Sequence, residues 1–138
     1  MNAKPLLIDD KLQQQLNEDG FISVPFLNEE ELKAVREFQN TIHPNEEVPG
    51  KIDGIHMTTW CSDLEYKKKV SSALDEIYQD ACERLFKNFR TLNNVFIIKE
   101  PGGGTTFKVH QDWNVVDEKE NFAINVWVPL HDVDEKSG

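Results

Sequence analysis

His110 and Asp112 stand two residues apart in the stretch FKVHQDWNVVDE, residues 107 to 118. In an extended chain, residues i and i+2 project to the same face. A neutral imidazole and a carboxylate on one face can take adjacent positions around a metal ion. With a second histidine from elsewhere they complete the two-histidine, one-carboxylate facial triad, which leaves coordination sites open. The same pair also arises by chance in a chain with 4 histidines and 25 acids. An ordinary surface His–Asp pair on a strand therefore stands beside the metal reading.

The surrounding sequence bears on that choice. Gly102, Gly103 and Gly104 let the chain turn tightly before the HxD strand. In the next extended run, FAINVWVPL, Asn125 and Trp127 share one face while Ile124, Val126 and Val128 take the other. Such a strand suits a wall between a packed layer and a polar cavity. The plainer alternative is a core tryptophan beside an exposed asparagine.

The elements that must position these residues read as helices first and strands afterwards. Ile8 to Asn17 has Leu12 and Leu16 on one helical face, and Gly20 ends it. FISVPFL (21–27) is a short extended stretch, with Pro25 marking an edge. Asn28 and Glu31 form a capping box, and Leu32, Val35, Phe38 and Ile42 follow at helical spacing. Residues 43 to 60 have no clear period and read as a functional loop, a lid or a surface excursion, with His56 exposed in it. Ser62 and Glu65 suggest a second capping box opening a long helix to about Phe89. Its stripe of Val70, Leu74, Ile77, Ala81 and Leu85 should pack on a sheet. NVFIIKE (94–100), TFKVHQDW (106–113) and FAINVWVPL (122–130) are the expected strands, and the order suggests a sheet with helices covering one side.

Composition narrows the function classes. With 138 residues the chain is one domain at most, and 38% hydrophobic with 29% charged residues is a globular balance. A formal charge of −10 argues against a nucleic-acid partner. No run approaches the roughly 18 apolar residues of a membrane span, and MNAKPLLIDD lacks a signal-peptide core. These features point to a cytoplasmic protein, with Cys61 and Cys82 as reduced thiols. Repeats and low-complexity tracts are absent.

HQDW…VDE followed by NVWVPLHDVDEKSG resembles the phytanoyl-CoA dioxygenase family of Fe(II)/2-oxoglutarate oxygenases, and DGFISVPFLNEEEL resembles that family's opening. The specific motifs fall in residues 95 to 138. The resemblance implies a mainly β fold with N-terminal helices: a partial double-stranded β-helix, or jelly roll of the cupin-like kind, with the helices packed on one face. Residues 1–138 would be the N-terminal part of a single oxygenase domain, helical over about 1–90 and entering the jelly roll over about 91–138. It implies Fe(II) as the metal, His110 and Asp112 as two of its ligands, and 2-oxoglutarate as cosubstrate. Trp127 matches a tryptophan of the cosubstrate pocket, with Asn125 beside it. Because Asp112 is present where halogenating members carry a small residue, the implied reaction is hydroxylation of a small molecule by dioxygen. The third iron ligand and the arginine that holds 2-oxoglutarate are expected beyond Gly138, so the chain alone is expected to be inactive. His43, His56 and His131 do not fit the missing ligand by position. A non-catalytic jelly-roll module binding a metal or ligand, and a zinc hydrolase using the same pair, are the alternatives.

Overall fold

The structure is a computed structural model that describes residues 5–101, 109–112, 115–117 and 119–135. Three helices carry it: α1 (Asp10–Asp19), α2 (Glu29–Ile42) and α3 (Leu64–Leu85). Two three-residue strands, β1 (Ile55–Met57) and β2 (Ile97–Lys99), pair antiparallel with His56 opposite Ile98.

Each helix begins where a side chain can satisfy its free amides. Asp9 accepts from the amides of Lys11 at 2.7 Å and Leu12 at 3.1 Å to start α1. Gly20, at φ +78°, closes it in a left-handed conformation that suits glycine. The expected capping box of α2 is present: Glu31 N–H donates to Asn28 Oδ1 and Asn28 N–H to Glu31 Oε2, both at 2.8 Å. For α3 the cap is Asp63, not Ser62. Its carboxylate accepts from the amides of Glu65 and Tyr66 at 2.9 and 3.1 Å.

The end of α3 also differs from the sequence expectation. The helix stops at Leu85 rather than near Phe89 because the N-terminal segment competes for its last backbone groups. Ile8 N–H donates to Leu85 O and Lys87 N–H to Leu6 O, while Leu7 bridges Phe86 in antiparallel fashion. Leu7 is thereby fully buried.

The core lies between α2, α3 and the approach to β2. Val35, Val70, Leu74 and Phe96 form its buried centre, and Phe38, Ile42, Ile77, Tyr78, Ile98 and Leu130 pack around them. Thus the α3 stripe meets another helix and Phe96 more than a sheet face. Phe38 and Phe96 stack with ring centroids 6.0 Å apart. Glu31 ties the two helices at the surface, with its carboxylate taking both Arg84 Nη atoms at 2.8 and 2.7 Å.

The expectation of a mainly β fold and partial jelly roll is overturned. Among the described residues there are three helices and one two-stranded sheet. The strand patterns were real, but a strand needs a ladder partner. NVFIIKE contributes only Ile97–Lys99, and its partner is the loop segment around His56. In FAINVWVPL no residue is assigned to a strand, and Phe122, Ile124 and Val126 stay exposed. The stretch 21–27 likewise forms no ladder, although Ile22, Val24 and Phe26 are half-buried in alternation with exposed Phe21, Ser23 and Pro25. Half of TFKVHQDW lies outside the described residues, and its described part, 109–112, is irregular.

Candidate functional site

Three of the four residues singled out in the sequence come together. His110 Nε2 lies 3.3 Å from Asp112 Oδ1. The other carboxylate oxygen of Asp112, Oδ2, accepts a hydrogen bond from the Asn125 side-chain amide. His110 and Asp112 are about half exposed or more. The backbone there is irregular, so the juxtaposition comes from chain path rather than from a strand.

That spacing fits a shared ion. Two donors, each about 2.1 Å from one metal and at right angles, stand about 3 Å apart. One imidazole nitrogen and one carboxylate oxygen are also a donor set that Fe(II) accepts. Among the described residues no group of three or more His, Cys, Asp or Glu side chains gathers around one point.

Trp127 belongs to a different set of neighbours. With Val128 and Pro129 it lines a groove of about 190 Å³ whose opposite wall is Val24, Phe26, Leu27 and Leu32. The indole is 72% exposed. His131 is exposed as well.

The sequence reading missed a second cluster. His56 was expected in solvent, yet it is fully buried, and His43 is 3% exposed. The Tyr66 hydroxyl sits between them, 2.6 Å from His43 Nε2 and 2.9 Å from His56 Nε2. His56 Nδ1 lies 2.6 Å from the Pro49 carbonyl oxygen. That carbonyl can only accept, so His56 Nδ1 carries a proton. Burial, with His56 alongside, holds the His43 imidazole far below the usual 6.5, at about 4. For His56, burial also lowers the value, the Pro49 bond opposes this, and Lys51 adds to it. Burial pushes the Tyr66 phenol up. Nothing in the spacing of positions 43, 56 and 66 signals this contact. The nearest sequence clue is that His56 alternates with Ile55 and Met57.

Comparison with known proteins supplies the class. The family model described as phytanoyl-CoA dioxygenase (PhyH) matches residues 14–138, and the chain belongs to that family. Membership points to the Fe(II)/2-oxoglutarate oxygenase superfamily; the family generally comprises dioxygenases that depend on Fe(II) and 2-oxoglutarate and act on small molecules. No curated protein and no solved structure matches the chain. Among the described residues, no helix is long and apolar enough to cross a membrane.

Proposed function

We propose that the protein hydroxylates a small molecule, with Fe(II) held in part by His110 and Asp112 and with 2-oxoglutarate as cosubstrate. The observation that carries this reading is the 3.3 Å approach of His110 Nε2 to Asp112 Oδ1 in a chain of this family. Bound Fe(II) and 2-oxoglutarate supply the oxidative chemistry, in which decarboxylation of the cosubstrate is coupled to hydroxylation by dioxygen.

The chain's own contribution is placement. His110 would offer its Nε2, and Asp112 its Oδ1. The Asn125 amide donates to Oδ2 and so leaves Oδ1, the oxygen near His110 Nε2, as the one that would meet an ion. Hydrogen-bonded carboxylate ligands of this kind are oriented before the metal arrives.

Asp112→Ala tests the assignment. It should abolish Co(II) or Mn(II) binding at the Fe(II) site, and in a longer chain that carries the third ligand and the 2-oxoglutarate arginine it should end succinate release. Metal binding that survives the substitution would displace Asp112 from the site. In a longer chain that also supplies a third ligand and an arginine for 2-oxoglutarate, metal binding without any succinate would favour a non-catalytic metal-binding module instead.

A further inference from the structure

We propose that His43, Tyr66 and His56 form a proton-sensitive latch that holds residues 44–57 against the core and releases them when the cluster takes up a proton. This inference is independent of the metal-site reading.

The cluster joins four parts of the molecule. His43 caps the end of α2, His56 lies in β1, Tyr66 is in the first turns of α3, and Pro49 belongs to the loop between α2 and β1. Its protons can be counted. Three contacts link the groups: His43 Nε2 to Tyr66, Tyr66 to His56 Nε2, and His56 Nδ1 to the Pro49 oxygen. Each contact accommodates one hydrogen. The neutral cluster supplies one from each of its three side chains. Since His56 Nδ1–H faces Pro49, Tyr66 O–H must donate to His56 Nε2, and His43 Nε2–H must donate to the Tyr66 oxygen.

A fourth proton puts a positive charge into the buried cluster. The one nitrogen left is His43 Nδ1, which is buried and has no hydrogen-bond partner among the described residues. Protonating it would create a buried cationic donor without an acceptor. Protonating His56 at Nε2 would set two donors against each other, and reversing the tyrosine to relieve that would move a hydrogen onto His43 Nδ1. Every arrangement of the extra proton leaves a positive charge in the buried cluster: on His43 Nδ1, which meets no acceptor, or on His56, where the added donor would force the Tyr66 hydroxyl to turn toward Thr58.

The charged and titratable neighbours do not rescue the cation. On the loop, Lys51 acts on His56 with the wrong sign and is paired with Glu100 just past β2. Below the cluster, Cys61 follows the turn at Thr58–Trp60 and acts on the tyrosine. Phe96 packs edge-on against His43 with ring centroids 5.6 Å apart. The simplest relief is therefore to open the loop. Holding that loop has a conformational cost at Asn45 and Asp53, which have positive φ, a region non-glycine residues adopt reluctantly.

The direction with pH follows from the depressed values. The open segment protonates its histidines near the ordinary 6.5, whereas the closed cluster resists to about 4 at His43. Closure is fully favoured above pH 6.5 and weakens as pH falls toward 4. Between pH 7.5 and 5.5 each histidine contributes up to about a tenfold change in the opening equilibrium.

Hydrogen exchange of the wild-type protein at those two pH values, corrected for intrinsic rates, tests this. The amides of Ile52, Ile55 and Thr58 are hydrogen-bonded and serve as reporters. Their protection should lie below that of α3 at both values and fall more than tenfold, up to about a hundredfold, at pH 5.5. His43→Leu should reduce the fall to about tenfold or less. A fall in the wild type of less than threefold, or protection equal to that of α3 at both pH values, would overturn the latch.

Discussion

Replacing Tyr66 by phenylalanine removes one oxygen and leaves two buried nitrogens facing a gap. His43 Nε2 loses the acceptor it holds at 2.6 Å, and His56 Nε2 loses the donor at 2.9 Å. His56 is fully buried and His43 nearly so, so bulk water does not reach either ring. A vacated hydroxyl is smaller than the roughly 30 Å³ share of a water molecule, so water cannot simply take its place. An unsatisfied buried donor or acceptor costs about 1–3 kcal/mol each. The rings stand 5.6 Å apart and can shift toward one another to recover part of this. The expected loss is therefore about 2–4 kcal/mol at pH 7.5, a large share of the roughly 5–15 kcal/mol of a typical domain. Urea unfolding followed by far-ultraviolet circular dichroism measures it, with the slope checked for constancy. A loss under about 0.5 kcal/mol would refute the hydrogen-bond chain, since surface substitutions commonly fall in that range.

Leu74→Ala, at the centre of the α2–α3 core, should cost about 3–4 kcal/mol in the same urea assay, and a neutral result would mean that this helix pair is not the core. Asn125→Leu should leave the fold intact and weaken Co(II) binding about tenfold or more in a calorimetric titration, as loss of an outer partner of a metal ligand does; unchanged affinity would make the Asn125–Asp112 bond incidental. Glu31→Ala removes one half of the α2 capping box together with the paired contact to Arg84. It should lower stability by about 1–2 kcal/mol, and a larger loss than Leu74→Ala would invert the ranking of surface link and core.

The local grammar of the helices was legible in the sequence. Asn28 with Glu31, Gly20 with αL geometry, and the helical spacing of Val35, Phe38 and Ile42 in α2 and of Val70 and Leu74 in α3 each involve neighbours along the chain, so the residues themselves determined that helices form there and which face is buried. That His110 and Asp112 lie near each other was legible as a local distance, although their described backbone, 109–112, is irregular and not the expected strand. Tertiary structure alone decided the rest. A strand pattern is a promise of a partner, and whether FAINVWVPL or NVFIIKE finds one depends on segments far away in sequence; only Ile97–Lys99 does, by pairing with residues around His56. Asn125 meets Asp112 across thirteen residues, and no periodicity encodes that. His56 looked like a solvent-facing loop residue because its loop is polar. It is buried because Tyr66, from the next helix, and Pro49 satisfy both of its nitrogens at once, and a polar ring becomes a core residue only when the fold brings it such partners.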